Sequence, residues 1–208
     1  MRGFAGSAGH APARHFVTDR GRFGLSIDEL VARAAPAVHA GVDVIQVRER
    51  DLPDNQLMAL VRRIVGVAAG TNTRVIVNDR ADIAIAAGAA GVHLRGDSPP
   101  ASRLRAMVSE DFLIGRSVHS LAEVDAALAG GGCDYLLFGT VFPSEGKPAG
   151  HPVAGLEALA QVCARSPLPV IAIGGITERN APQVCDAGAA GFAAVGLFMC
   201  LTPLREVV

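Results

Sequence analysis

The chain has 208 residues, half of them hydrophobic, 19% charged and 4% aromatic, with no Trp, one Tyr and a formal net charge of −1. That length suits one large domain, and a core so poor in aromatics must be built from Ala, Val, Ile and Leu, as in parallel sheets covered by helices on both faces. A near-neutral chain lacks the basic excess of a general nucleic-acid binder, so any phosphate recognition should be local.

Residues 1–14 are rich in Gly, Ala, His and Arg and lack the apolar centre of a signal peptide. They are expected to form a flexible tail on a single domain that takes up the rest of the chain. A short strand is predicted over 15–18, then a polar turn over 19–24. Ser26 followed by Glu29 is a capping box, and the spacing of Leu30, Val31, Ala34 and Val38 continues a helix up to Gly41. The next strand, residues 44–50, reads V-I-Q-V-R-E-R. At a period of two, Ile45 and Val47 share one face while Gln46, Arg48 and Arg50 share the other. Cations in that setting need an anionic partner, either a ligand phosphate or a structural carboxylate from Glu49, Asp51 or Asp79.

Pro53 marks the start of a helix whose apolar spacing runs to Gly70. Strand R-V-I-V-N over 74–78 follows and runs into Asp79-Arg80. The same grammar then repeats: helix 82–87, strand 91–94, helix 99–108, strand 113–118, helix 120–129 capped by Ser120 with Glu123, and strand 135–139. A Gly/Pro-rich loop over 140–152 leads to helix 156–164, strand 169–173, helix 178–187 and strand 191–195. Several helices stop at Gly just before a buried strand, as in A-G-V-D-V-I, A-G-A-A-G-V and A-G-A-A-G-F. Eight strands alternating with helices and no sign of another domain favour an α/β fold of the (β/α)8 TIM barrel type. Residues 187–204 carry no charge over about the length of a membrane span. Their three glycines and Thr202-Pro203 make them weakly apolar, so a soluble cytoplasmic protein without membrane contact is expected. The four cysteines, at 133, 163, 185 and 200, contain no C-x-x-C pair and read as small buried hydrophobes in a reducing compartment.

In such a barrel the site lies at the carboxyl ends of the strands. The residues expected there are Gln46, Arg48 and Arg50, then Asn78 and Asp79, His93 and Asp97, Ser117 and His119, Thr140, Ser144 and Lys147, and finally Gly174, Gly175 and Gly196. Glycines before Thr177 and a helix let backbone N–H groups approach an anion, though the same residues serve a tight turn. Asp79 could hold a hard cation or pair with Arg48 or Arg80. Lys147 could close over a phosphate or stay solvated. His119 at a strand end suits proton transfer, whereas His93 reads as core or as support for the site.

Read together, Q-V-R-E-R, V-N-D-R, G-V-H-L, I-G-R-S-V-H-S, D-Y-L-L-F-G-T-V-F-P and A-I-G-G-I-T resemble, in order, the thiamine phosphate synthase and TenI family. The resemblance covers about residues 15–198. It implies an enzyme of thiamine biosynthesis that joins hydroxymethylpyrimidine diphosphate to thiazole phosphate and releases diphosphate. Gln46, Arg48 and Arg50 would bind the diphosphate side, with Arg50 where the family usually has Lys. Asn78 would contact the pyrimidine substrate, Asp79 and Asp97 would hold Mg²⁺, and Ser144 and Lys147 would grip the diphosphate. Gly175 and Gly196 would cradle the thiazole phosphate, with Ser117 among the substrate-binding residues. Three features depart from the family. G-V-H-L-R-G-D is one residue shorter than the usual G-V-H-L-G-Q-x-D, which puts the reach of Asp97 to the metal in doubt. The usual T-x-T-K reads Ser144-Glu145-Gly146-Lys147 and sets a glutamate beside a diphosphate. Finally, I-G-R-S-V-H-S resembles the TenI branch, which includes thiazole tautomerases, where His119 would move protons without a metal. The readings are thus a transferase using Arg48 and Lys147, an isomerase using His119, or a barrel that binds thiazole or thiamine phosphate without catalysis. The partners expected are small phosphorylated molecules and, through the brief ending of the chain, a second copy in a homodimer.

Overall fold

The computed structural model describes residues 11–148 and 150–200. Eight parallel strands close into a ring in chain order: β1 (Ala13–Val17), β2 (Val44–Val47), β3 (Arg74–Asn78), β4 (Gly91–Leu94), β5 (Leu113–Val118), β6 (Tyr135–Gly139), β7 (Val170–Ile173) and β8 (Gly191–Ala194). Between them run α1 (Ile27–His39), α2 (Asp54–Ala68), α3 (Ala81–Ala86), α4 (Ala101–Arg105), α5 (Leu121–Gly130), α6 (Gly155–Arg165) and α7 (Ala181–Asp186), and α8 (Gly196–Met199) follows β8. The expected (β/α)8 barrel is therefore present. β1 pairs with β8, His15 opposite Ala193, which closes the ring.

The strand alternation separates two apolar layers. Phe16, Ile45, Val47, Val75, Val77, Leu136, Phe138 and Ala172 face outward and pack on Leu30, Leu57, Leu60, Ile64, Leu159 and Val162 of the helices. Ala13, Val17, Val44, Ile76, Leu113, Tyr135, Leu137, Ile171 and Ala193 face inward and fill the ring. The capping box at α1 forms with both of its reciprocal bonds. β1 starts two residues before the expected strand, so Ala13 and Arg14 belong to the barrel and not to a tail. α4 is shorter than expected. α7 starts late because Asn180 first folds back, accepting from the Thr177 N–H at 2.7 Å. α8 follows β8 directly at 196–199, where no helix was expected, and the short eighth helix expected over 201–208 lies outside the described residues. Cys133, Cys163 and Cys185 are only partly buried and Cys200 is exposed, where full burial was expected. No helix among the described residues is long and apolar enough to cross a membrane. The expected tail over 1–10 and the dimer contact at the C-terminal end lie outside the described residues.

Polar groups are sealed into the barrel interior. His15 and His93 are both buried and flank the ring of the buried Tyr135, with centroids 5.9 and 5.7 Å away. His93 Nδ1 lies 3.0 Å from the Tyr135 hydroxyl and its Nε2 lies 2.8 Å from Ser117 Oγ. Burial pushes both imidazoles down to about 3, so they stay neutral at ordinary pH. The folded state therefore binds fewer protons than the unfolded chain, whose imidazoles titrate near 6.5. Stability is fully present above about pH 6.5 and is lost as the pH falls toward 3. Each imidazole should cost about 2 kcal/mol between pH 7 and pH 5. Glu49, whose carboxyl is raised first of all by burial, works in the opposite direction and offsets part of this loss. Urea unfolding at the two pH values should show a clearly weaker protein at pH 5. Equal stability would mean that the two imidazoles are not held neutral by the fold.

Candidate active site

At the carboxyl end of the ring, a cavity of about 990 Å³ is lined by residues from every strand end except that of β3 beyond Asn78. The polar side chains of the cavity floor arrive there by continuing an inward row. Val44 is followed by Gln46 and Arg48, Ile76 by Asn78, Leu113 by Ser117, and the apolar interior gives way to a polar floor. Gln46 Nε2 donates to Asn78 Oδ1 at 3.0 Å, which ties the ends of β2 and β3 together. Ser117 rests on His93. A buried phenol is a strong donor, and when Tyr135 donates to Nδ1 the other ring nitrogen carries the proton and donates to Ser117 Oγ. The serine hydroxyl then donates its own proton into the cavity. His93 is thus a support for the site, as its place within a strand suggested.

Charge on the cavity wall is only partly neutralised. Arg48 pairs with Asp19 at 3.3 Å, and Arg22 pairs with Glu145 at 3.1 Å. The glutamate that looked misplaced beside a diphosphate therefore has its own counterion. Arg50 and Lys147 line the cavity without an ion pair among the described residues. Burial and the nearby Arg48 and Arg95 guanidinia push Arg50 below the usual arginine range. The carboxylates that could have made a structural row choose other partners: Glu49 and Asp51 meet Arg20, and Arg80 meets Asp54 and Asp82.

Asp79 pairs with neither Arg48 nor Arg80, and it is not on the cavity lining. It takes a left-handed φ of +60°, which a short polar side chain tolerates. Its Oδ1 accepts from Ser98 Oγ, and its Oδ2 lies 3.8 Å from Arg95 Nη1. Ser98 Oγ in turn accepts from the Arg95 backbone N–H at 2.9 Å. Asp97 pairs with the other terminal nitrogen of Arg95. The residue packed on Asp79 is therefore Ser98, and the two carboxylates expected to hold Mg²⁺ converge on one guanidinium. No group of three His, Cys, Asp or Glu side chains comes together among the described residues. Magnesium is commonly held by one or two carboxylates with phosphates and water completing its shell, so a pair that already shares one cation fits it.

Loop 140–152 carries Ser144 and Lys147 over the cavity and leans on the loop after β7. A Cβ at Gly175, where φ is +62°, would lie 2.2 Å from the Pro143 carbonyl oxygen, so glycine is what lets the two loops touch. Asn180 donates to the Gly175 carbonyl at 2.9 Å and occupies the Thr177 N–H, which removes that backbone donor from ligand binding while Thr177 itself still lines the cavity. Gly196 opens the short α8, and a Cβ there would meet nothing within 4 Å. Its cavity-facing space is left for a ligand, at the place where barrels often bind phosphate. On the opposite side His119 lines the cavity with Nδ1 3.1 Å from Glu123 Oε2. Glu123 does not complete a capping box with Ser120: the serine accepts from the Glu123 N–H at 3.2 Å, while the carboxylate goes to the His119 N–H and ring.

Lining or supporting residues missed in the sequence include Asp19, which pairs with Arg48. Arg22 sits in the loop after β1, a place that barrel geometry alone would have flagged. Arg95 and Ser98 lie in the motif that departs from the family, and Glu123 was read as a helix cap.

Residues 15–198 match the family described as thiamine monophosphate synthase. A thiamine-phosphate synthase of Anaeromyxobacter dehalogenans is 43% identical over 79% of this chain and 73% of its own length. One from Enterococcus faecalis is 33% identical over 90% of this chain and 88% of its own. Among solved structures, the thiamine phosphate pyrophosphorylase of Pyrococcus furiosus superposes with a TM-score of 0.77 at 30% identity, covering 93% of this chain and 90% of that one. A 3-hexulose-6-phosphate synthase with TM-score 0.67 at 18% identity shares the fold. Family match, identity and fold agree over nearly the whole barrel, and the chain belongs to the thiamine monophosphate synthase family.

Proposed function

We propose that the protein is a cytoplasmic, Mg²⁺-dependent thiamine phosphate synthase that joins hydroxymethylpyrimidine diphosphate to thiazole phosphate and releases diphosphate. The observation that carries this reading is that one cavity offers two separate provisions for anions. Two cations with no ion pair among the described residues, Arg50 and Lys147, stand on the loops after β2 and β6, and a glycine-lined space lies after β7 and β8. An enzyme that handles one phosphate has no use for both.

In this reading loss of diphosphate leaves a pyrimidine-stabilised cation that the thiazole nitrogen captures. The protein's work is to hold two substrates in line and to neutralise the leaving group. Arg48, Arg50, Ser144 and Lys147 bind the diphosphate, while Gln46 and Asn78, fixed by their mutual hydrogen bond, orient the pyrimidine. Ser117 directs a donor into the cavity from its seat on His93. Gly175 and Gly196 receive the thiazole phosphate. Asp79 and Asp97 would hold Mg²⁺, which when bound offsets charge on the departing diphosphate.

A second reading, a thiazole tautomerase, is favoured by His119 alone. Its carboxylate partner keeps the proton on Nδ1 and leaves Nε2 as the basic atom facing a substrate. Product assays separate the two. The synthase reading predicts thiamine phosphate from the two substrates, with Lys147→Ala and Asp79→Ala each lowering turnover about 100-fold or more and a chelator stopping it. Full activity in both variants would refute it. Isomerisation of the thiazole phosphate that survives chelation and vanishes in His119→Ala would establish the tautomerase. Saturable binding without either product would leave a non-catalytic barrel. The phosphate cradle has its own test, because Gly196→Val adds a Cβ that meets no atom of the described residues within 4 Å. It should weaken thiazole phosphate binding about tenfold or more while the melting temperature stays near that of the wild type. Undiminished binding would place the phosphate elsewhere.

A further inference from the structure

The geometry points to Arg95 as a resident counter-cation of the Asp79–Asp97 pair, exchanged for the divalent metal on loading and then free to join the diphosphate-binding cations. This inference deepens the synthase reading and rests on it.

Three observations carry it. First, the two carboxylates reach different terminal nitrogens of the same guanidinium, Asp97 in direct contact and Asp79 at 3.8 Å. Arg95 thus stands where a shared cation would stand, and two carboxylates face one guanidinium, with the Arg50 charge near Asp79 as a further counterweight that bonds to neither. A divalent ion would balance the pair fully. Second, the backbone is already clamped: the Arg95 N–H donates to Ser98 Oγ, and Ser98 Oγ donates to Asp79. Removing the Arg95 side chain from the carboxylates does not undo either bond, so Asp79 keeps its place during the exchange. Third, the Arg95 side chain is 45% exposed and lines the cavity, whereas Asp79 does not line it. The guanidinium can leave toward the ligand side without crossing packed residues. It is also close enough to Arg50 to disfavour the charge there, which marks Arg48, Arg50 and Arg95 as a crowd of like charges that an anion would relieve. The loop that departs from the family at Arg95-Gly96-Asp97-Ser98 thereby acquires a use: the serine supports Asp79, and the arginine holds the metal position until metal and diphosphate arrive.

The exchange makes opposite predictions for metal and for anion. With Mn²⁺ as the probe, read by electron paramagnetic resonance of the free ion, Arg95→Gln should bind about fivefold tighter than the wild type, because its competitor is gone. With inorganic diphosphate as the probe at saturating Mn²⁺, where the guanidinium has been released, the same variant should bind about fivefold weaker. Asp79→Asn should lose Mn²⁺ binding. Thermal melting of both variants checks that they are folded. Unchanged or weaker Mn²⁺ affinity in folded Arg95→Gln, or undiminished diphosphate binding, would overturn the exchange. Wild-type coupling activity is read separately. If coupling occurs while Arg95→Gln leaves Mn²⁺ affinity unchanged, the exchange fails and the synthase reading stands. If Mn²⁺ affinity rises and diphosphate affinity falls in Arg95→Gln while the wild type makes no product, the exchange stands and the synthase reading fails.

Discussion

The polar floor of the cavity depends on one constraint: eight parallel strands in a closed ring alternate their side chains in step, so the last inward position of each strand opens at the same end. Along β2 the inward row passes from Val44 to Gln46 and Arg48, along β3 from Ile76 to Asn78, and along β5 from Leu113 to Ser117. An apolar plug thus forms in the amino-terminal half of the ring and a polar basin above it. A shift of one residue in any strand would turn its polar end onto the helices and its helix-facing residues into the cavity. The buried imidazoles sit at the boundary between plug and basin, where they remain neutral, and His93 passes orientation from Tyr135 to Ser117.

Above this boundary, charge decides what the cavity accepts. Asp19 and Glu145 quiet Arg48 and Arg22, and the Asp79–Asp97 pair quiets Arg95. Arg50 and Lys147 are left, and a cavity with low-dielectric walls strengthens their pull on an anion. In the synthase reading, phosphorylated ligands would meet preset donors and little reorganisation, which is the condition under which electrostatic stabilisation is most effective. The apolar side chains of Leu137, Ile173 and Ala193 on the same lining leave room between the polar ends for flat rings.

Much of this was legible in the sequence, for a physical reason. Strand period, helix caps and terminal glycines are local, so the ring, β3, β4, β5 and β6 could be read to the residue, and Gln46, Arg48, Ser117, Lys147 and Gly196 could be assigned to the cavity end. Pairings between loops are not local. Asp79 met Arg95 and Ser98 instead of Arg48 or Arg80, because its backbone turns into the left-handed region, where a non-glycine residue is uncommon. Glu123 has the spacing of a helix cap, and only the position of His119 reveals that its carboxylate serves the ring. Arg22 counterbalances Glu145 across 123 positions of chain, a contact that no local pattern carries.

The central claim is that one cavity holds two anionic ligands at once, and it is tested most directly by diphosphate binding to protein saturated with thiazole phosphate, followed by calorimetry with Mg²⁺ present. The account predicts that diphosphate binds with one site per chain and an affinity that thiazole phosphate does not lower, since the loops after β2 and β6 and those after β7 and β8 serve different ligands. Competition between the two would contradict it, because a single anion site would then be the whole of the cavity's chemistry.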